Sequence, residues 1–172
     1  MKNIKFVEWQ TRSSLAEYLA GATGGSNLLE SAETSKRFYS FAVQRSDGEL
    51  RVGITSVDLG IKPAVIEIRD KCVLIGYDER VAAIELATGL VKFDFRLMAP
   101  FYSFMPLDEC DHAIIIYEIG LIKISITGET VWSLDTDIIE RVERDSDHLL
   151  VKIMGQPESI TVSAASGKTI ER

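Results

Sequence analysis

A turn built on glycine returns in this chain at a nearly constant interval, and no other feature constrains the fold as much. The segments AIELATGLVKF (83–93), IKISITGETVW (122–132) and TVSAASGKTIE (161–171) start 39 residues apart, each with Thr-Gly or Ser-Gly near its centre. The glycines are Gly89, Gly128 and Gly167, and Gly48 precedes the first of them by 41 residues. Each lies between two segments of β-type composition, where glycine can adopt the positive φ of a tight hairpin. The spacing predicts a repeat of about 40 residues.

Short β-type segments recur in a fixed order around these glycines. One repeat contains AVIEIR, CVLIGYD, VAAIEL and LVKFDF, and two further sets of four segments follow it. Phe93 and Trp132 each stand four residues after a turn glycine. Four strands in about 40 residues is the period of a propeller blade. We therefore predict an all-β fold of antiparallel four-stranded repeats, as an incomplete or small β-propeller; the alternative is a β-meander folded into a sandwich.

The first 37 residues differ from the rest and contain the one predicted helix. In SSLAEYLA (13–20) the apolar residues follow helical spacing, with Ser13 or Ser14 as the cap and Gly21 at the end. IKFVEW is predicted as a strand that completes the first sheet, and GATGGSN as a loop. We predict a single domain over 1–172, with an N-terminal strand, helix and loop in 1–37 and four β repeats, the first partial, in 38–172.

The repeat resembles a known family. AIELATGLVKF is similar to the strand–turn–strand signature of quinoprotein-type (PQQ-like) β-propeller repeats, in which Ala-Leu-Asp leads to Thr-Gly and then to Trp. Here Thr88-Gly89 corresponds to the turn and Phe93 to the tryptophan. The second copy keeps Thr127, Gly128 and Trp132, whereas the third has Glu171 at the aromatic position. The resemblance implies a propeller-like structure over residues 38–172, incomplete because propellers of this type have about twice as many blades.

Charge and composition exclude several classes of function. The 26 acidic and 19 basic residues give a net charge of −7, which repels nucleic acid and favours a basic partner. No apolar run approaches the roughly 18 residues of a membrane helix, and MKNIKFVEWQ does not resemble a signal peptide. The two cysteines, Cys72 and Cys110, have the spacing of neither a metal site nor a disulfide framework. We expect a cytoplasmic protein without a nucleic-acid or membrane partner.

No motif indicates a reaction, so we expect no catalytic residue, no cofactor and no metal ion. GATGGS (21–26) lacks the lysine of a phosphate-binding P-loop. His112 and His148 each directly precede a predicted strand and are too few for a metal site. The pairs Asp135/Asp137 and Asp145/Asp147 lack the glycine and distal glutamate of a calcium loop. The chain is therefore predicted not to be an enzyme.

Acidic side chains recur in the predicted loops, and loops of successive repeats that share one rim would make it acidic. The candidate partner-binding residues are Asp108, Glu109, Asp111, Asp135, Asp137, Asp145 and Asp147. Such a rim favours a cationic partner and speeds its association. We predict a non-enzymatic protein-binding module, similar in size, charge and repeat type to small bacterial immunity proteins that neutralise basic toxins.

The alternative function is the binding of a small molecule or carbohydrate in a central crevice between the repeats. Aromatic side chains are the residues expected to line such a crevice. The candidates are Tyr39, Tyr77, Tyr102 and Tyr117.

Overall fold

The computed structural model describes residues 4–107 and 111–170, which form one short helix and four sheets of four strands each. Sheet 1 and the helix comprise β1 (Val7–Trp9), α1 (Arg12–Ala20), β2 (Ser26–Glu30), β3 (Arg37–Arg45) and β4 (Gly48–Ser56). Sheet 2 comprises β5 (Ala64–Ile68), β6 (Cys72–Tyr77), β7 (Arg80–Glu85) and β8 (Val91–Arg96). Sheet 3 comprises β9 (Phe101–Pro106), β10 (His112–Tyr117), β11 (Gly120–Ser125) and β12 (Thr130–Asp135). Sheet 4 comprises β13 (Ile139–Asp145), β14 (His148–Ile153), β15 (Ser159–Ser163) and β16 (Thr169–Ile170).

Sheets 2, 3 and 4 have the same topology, that of an antiparallel meander whose strands pair in chain order. The second strands of sheets 2 and 3 lie between neighbouring elements and are mostly apolar and buried; all six residues of β6 (CVLIGY) are buried. Cys72, His112 and His148 each begin the second strand of their sheet, which makes them equivalent positions of the repeat. The predicted four-stranded repeats and the short N-terminal helix are confirmed.

The turn glycines occupy one place in the repeat. Gly89, Gly128 and Gly167 lie in the hairpins between the third and fourth strands of sheets 2, 3 and 4, with φ of 74°, 87° and 70°. This region of φ is costly for residues with a Cβ, which explains why glycine recurs there. Gly48, with φ of 133°, follows the hairpin between β3 and β4 of sheet 1.

The recurring aromatic residues pack on the turn glycine of the next sheet. A Cβ added to Gly128 would lie 2.6 Å from the Phe93 ring, and one added to Gly167 would lie 2.7 Å from the Trp132 ring. The indole Nε1 of Trp132 also donates a hydrogen bond to Ala164 O at 3.2 Å. The predicted equivalence of the two aromatics is confirmed; Trp132 is buried, whereas Phe93 is half-buried. Each aromatic–glycine contact therefore ties one sheet to its successor.

Sheet 1 departs from this pattern in two ways. Its strand order is β1-β3-β4-β2, and β2 pairs in parallel with β4. The strand predicted from IKFVEW is present as β1, but β2 begins inside a segment predicted to be a loop. An arginine takes the place of the aromatic residue: Arg45 Nη2 donates to Ala87 O at 3.1 Å, and the Arg45 guanidinium lies against Gly89. Two strands that precede residue 37 thus complete the first sheet.

Within residues 4–107 and 111–170, the four sheets stack in chain order as an open series. Three hydrophobic clusters make up the core of the described residues, and they join sheet 1 to 2, 2 to 3 and 3 to 4. None of the three joins sheet 4 to sheet 1. The free face of sheet 1 is covered by α1, whose Leu15 and Leu19 contact the backbone at Gly53. The helix cap is Thr11, which accepts a hydrogen bond from Ser14 N, and not one of the predicted serines.

Candidate functional site

The stack has two edges where loops of successive sheets meet. The glycine edge carries the turns at Gly89, Gly128 and Gly167 and the hairpins between first and second strands. The opposite edge, here called the connection edge, carries the segments that lead from one sheet to the next and the hairpins between second and third strands. It consists of residues 57–63, 78–79, 97–100, 118–119, 136–138 and 154–158.

Backbone hydrogen bonds join the segments of the connection edge from 78–79 onward into one continuous series. Phe101 N donates to Asp78 O at 2.6 Å, and Glu118 N donates to Pro100 O at 2.8 Å. The series continues from Ile139 N to Glu118 O at 2.7 Å and from Met154 N to Ile138 O at 2.8 Å. These bonds fix the loops against their neighbours, so the side chains that they carry are presented on a defined surface.

A buried carboxylate anchors the end of this edge between sheets 1 and 2. Asp78 is 3% exposed and has a φ of 46°. Its two oxygens accept hydrogen bonds from Ser56 Oγ at 2.7 Å and Val57 N at 2.9 Å. A cavity of about 270 Å³ opens beside it, and Leu59, Glu79 and Arg96 contribute to its lining. Because these hydrogen bonds run from the end of sheet 1 to a hairpin of sheet 2, Asp78 holds the two sheets together.

The predicted acidic residues are divided between the two edges. Asp111, Asp145 and Asp147 lie on the glycine edge, whereas Asp135 and Asp137 lie on the connection edge. Asp108 and Glu109, also predicted to bind the partner, fall outside the described residues. The five described residues therefore do not form one rim. Strand β13 separates Asp135 and Asp137 from Asp145 and Asp147, and each strand of a meander carries the chain from one edge to the other.

Asp111 is engaged within the chain. Its carboxylate lies 2.7 Å from Lys71 Nζ and 3.6 Å from Arg69 Nη1, both in the hairpin of the preceding sheet. The hydrogen bond from Lys71, opposed in part by desolvation, holds the pKa of Asp111 below its usual value. By contrast, Asp145 and Asp147 are exposed and have no ion pair within 4–107 and 111–170. Asp111 thus contributes to the contact between sheets 2 and 3.

Exposed apolar side chains mark the connection edge, and sequence analysis did not single them out. Each segment that leads from one sheet to the next carries one: Leu59 (42% exposed), Met98 (87%) and Ile138 (41%). Met154 (59%) adds a fourth in the hairpin between β14 and β15. Scattered apolar residues are ordinary on a surface, and others lie near the glycine edge, but recurrence in every segment that joins two sheets is typical of a contact surface. Their signal in the sequence is weak, because a loop methionine or leucine has no periodicity.

The tyrosines expected to line a crevice pack elsewhere. Tyr39, Tyr77 and Tyr117 are buried within the clusters between the sheets. Burial and the nearby Asp135 raise the pKa of Tyr117 to about 12, and its hydroxyl donates to Asp135 Oδ1 at 3.2 Å. Tyr102 is half-buried, with its hydroxyl 3.5 Å from Glu118 Oε1. These rings serve the core and hold two carboxylates of the connection edge in place.

In the described part of the chain, no group of three His, Cys, Asp or Glu side chains is placed to hold a metal ion. Burial raises the pKa of the Cys72 thiol from 9.0 to about 11, which keeps it protonated and poorly nucleophilic. No helix among residues 4–107 and 111–170 is long and apolar enough to span a bilayer.

Comparison with solved structures identifies the fold class. The chain is similar to apo AztD from Citrobacter koseri, with a TM-score of 0.54 and 13% identity over 84% of this chain and 45% of that one. It is also similar to the WD40 domain of Pan2 from Neurospora crassa, with a TM-score of 0.50 and 13% identity over 63% of this chain and 36% of that one. It is similar as well to the dihydro-heme d1 dehydrogenase NirN in complex with DHE, with a TM-score of 0.53 and 12% identity over 79% of this chain and 34% of that one.

Together with the stacked four-stranded sheets, these likenesses define a β-propeller-like repeat protein. The chain spans less than half the length of each of these structures. No protein-family model matches the sequence, and no curated protein matches it either. The likeness therefore concerns the fold alone.

Proposed function

We propose that this chain is a non-enzymatic protein-binding module and that the connection edge is its binding surface. The observation that carries the proposal is an exposed apolar side chain in every segment that joins two sheets, Leu59, Met98 and Ile138, with Met154 in a hairpin of the same edge. Binding surfaces combine such apolar contacts with a polar surround, and loops held by a rigid scaffold are where they occur.

The charge of the chain favours a basic partner. A net charge of −7 attracts a positively charged protein over distances of about a Debye length, ~8 Å in physiological salt. Neutralisation of a basic toxin by a cytoplasmic bacterial immunity protein is one form that this function would take. That form predicts that a toxin-like reading frame adjoins the gene, and that expression of this chain restores growth to cells making the toxin.

Capture from a lysate of the source organism tests the binding surface when it compares three forms of the protein. In the first variant, Met98, Ile138 and Met154 are replaced by serine. The matched control replaces Leu90, Val131 and Ile170, which are 67%, 48% and 40% exposed near the glycine edge. We expect one basic protein to be retained by the unmodified chain and by the control, and to be lost from the connection-edge variant.

The comparison between variants decides the outcome, because capture alone does not identify a surface. If the connection-edge variant retains the same basic protein as the control, this edge is not the binding surface. Circular dichroism of both variants shows whether they keep the β-sheet fold, which we expect because the substituted side chains are exposed.

A further inference from the structure

We infer that the half of the connection edge formed by sheets 3 and 4 receives a cationic amphipathic segment of the partner protein. The inference rests on the proposed function and adds to it the part of the edge and the chemistry of the segment. It depends on a difference in charge between the two halves of the edge, on an apolar pair at the centre of one half, and on the absence of neutralising side chains there.

Carboxylates collect on the half formed by sheets 3 and 4 without basic partners. The segments 118–119, 136–138 and 154–158 contain Glu118, Asp137 and Glu158 and no lysine or arginine. Asp135 and Glu140 flank the middle segment and are exposed. None of these five carboxylates forms an ion pair within 4–107 and 111–170. Their contacts are the tyrosine hydroxyls at Glu118 and Asp135, which leave the negative charge in place.

The basic side chains closest to this half in the sequence are already engaged. Lys152 Nζ donates to Gln156 O at 2.5 Å and to Pro157 O at 2.9 Å, and so holds the hairpin that carries Glu158. Arg141 Nη1 lies 3.3 Å from Glu143 Oε1. Neither is paired with the five carboxylates, so the charge of this half is left for a group outside the described chain.

The half formed by sheets 1 and 2 is built differently. There Arg37 lies 3.1 Å from Asp58, Arg80 lies 2.9 Å from Asp94, and Arg96 lies 2.5 Å from Glu79. Its loops also carry Lys36 and Lys62. Positive and negative side chains are therefore interspersed on this half, and its contribution to binding is the apolar contact offered by Leu59 and Met98.

Two exposed apolar side chains lie among the unpaired carboxylates. Ile138 and Met154 are 41% and 59% exposed, and their backbones are joined by the bond from Met154 N to Ile138 O. An apolar centre surrounded by negative charge complements a segment with an apolar residue flanked by lysine or arginine, as on one face of an amphipathic helix. Methionine adapts its shape to such a segment at little cost. Charge complementarity, and not the apolar area alone, thus defines the occupant.

The inference can be tested without the partner, with a synthetic helical peptide of leucine and lysine, about 14 residues long, as the probe. Titration into the isotope-labelled protein is followed by chemical shifts of the backbone amides. We expect the shifts to be concentrated at 118–119, 136–140 and 154–158. A peptide in which serine replaces leucine measures charge alone, and one in which glutamine replaces lysine measures apolar contact alone; both are expected to bind more weakly.

A pair of matched variants separates local from overall charge. The first changes Asp135→Asn, Asp137→Asn and Glu140→Gln on the connection edge; the control changes Glu129→Gln, Asp145→Asn and Asp147→Asn on or next to the glycine edge. All six carboxylates are exposed and lack ion pairs in the described residues, so both variants alter the net charge equally. We expect the first variant to bind the leucine–lysine peptide about tenfold more weakly, and the control to bind within about twofold of the unmodified chain, since exposed ion pairs are individually weak.

Equal weakening in the two variants, shifts centred on the glycine edge, or no binding of the leucine–lysine peptide would each overturn the inference. These outcomes leave the proposed function open, because the serine variants of the connection edge test that function with the natural partner. Conversely, loss of the natural partner from those serine variants, together with a peptide that does not bind, would support protein binding at this edge through a segment of different chemistry.

Discussion

At the scale of single residues, the contact between Trp132 and Gly167 accounts for both the recurring glycine and the recurring aromatic. The turn needs a positive φ, and the indole needs the space that a Cβ would fill. Phe93 and Gly128 repeat the arrangement one sheet earlier. These two requirements act together, so the glycines are expected to tolerate substitution poorly.

The first prediction compares Gly167→Ala with Gly155→Ala. Both glycines have a positive φ, 70° and 77°, but an added Cβ meets the Trp132 ring at 2.7 Å in one case and no atom within 4 Å in the other. We expect Gly155→Ala to lower the free energy of unfolding by about 1–2 kcal/mol, and Gly167→Ala to cost a further ~1–3 kcal/mol from overpacking. Denaturant unfolding measures both values.

A double-mutant cycle with Trp132→Ala provides the control for this prediction. Once the indole is removed, Gly167→Ala should cost no more than Gly155→Ala, because only the strain of the positive φ remains. If the two alanine variants were equally stable with Trp132 in place, the packing of the indole on the turn would have no energetic weight.

The second prediction concerns the buried thiol of Cys72, whose pKa burial raises from 9.0 to about 11. Between these values the unfolded chain loses the proton while the folded chain keeps it, so rising pH favours unfolding. The free energy of unfolding should therefore fall between pH 9 and 11. Tyr117, with its pKa raised to about 12, adds to the decline above pH 10.

The variant Cys72→Ala isolates the contribution of the thiol. We expect the free energy of unfolding of this variant to decline less steeply between pH 9 and 11 than that of the unmodified chain. Denaturant titrations at a series of pH values measure both. Parallel curves for the two proteins would show that the thiol is not shielded from water in the folded chain.

At the scale of secondary-structure elements, sequence patterns predicted the meanders and the strand β1 of sheet 1, but not strand β2. Alternation and turn residues are local, so the strands and hairpins around Gly89, Gly128 and Gly167 could be placed from the sequence. Strand β2 could not, because SNLLE follows a glycine-rich segment and pairs in parallel with β4, which is not adjacent to it in the chain. The role of Arg45 at the turn of sheet 2 was hidden for the same reason.

The candidate site shows the same limit. The sequence predicted acidic residues in loops, whereas Asp135 and Asp145 are the last residues of strands; it could not show that Asp135 and Asp137 lie on one edge and Asp145 and Asp147 on the other. The edge of the stack on which a loop lies depends on the direction of the strands that flank it, and hence on how many strands precede the loop in its sheet. The exposed apolar residues carry no periodic signal, so only their positions in the stack distinguish them.

The third prediction belongs to helix α1, which covers the free face of sheet 1. Leu15 and Leu19 are buried against this face. Each leucine replaced by alanine should lower the free energy of unfolding by ~2–5 kcal/mol, and we expect the double variant to lose the sum of the two. Exposure of the apolar face should also raise the apparent mass in light scattering. Ala16→Ser and Ala20→Ser, at exposed positions of the same helix, serve as the control.

An unchanged mass and a cost of less than about 1 kcal/mol for the double leucine variant would contradict this role of the helix. A large cost without a change in mass would indicate that α1 stabilises sheet 1 but does not shield it from other chains.

At the scale of the whole molecule, the stack is an open series of four sheets in which each interior contact joins consecutive sheets. Stability in such an arrangement is roughly the sum of contacts between neighbours. The functional consequence is a pair of long edges on which equivalent loops line up. Of these, the connection edge combines fixed loops, exposed apolar side chains and, over sheets 3 and 4, carboxylates that form no ion pair with another described residue.

The association rate of the basic partner, measured by surface plasmon resonance, tests the central claim that the connection edge is the binding surface. Reversal of Asp137, Glu140 and Glu158, which are exposed, to lysine should slow association and weaken its salt dependence, while leaving the melting temperature within a few degrees. Reversal of Glu129, Asp145 and Asp147 changes the net charge equally and should slow association less. Equal rates for the two variants, or a rate for the unmodified chain that does not fall with salt, would contradict the claim.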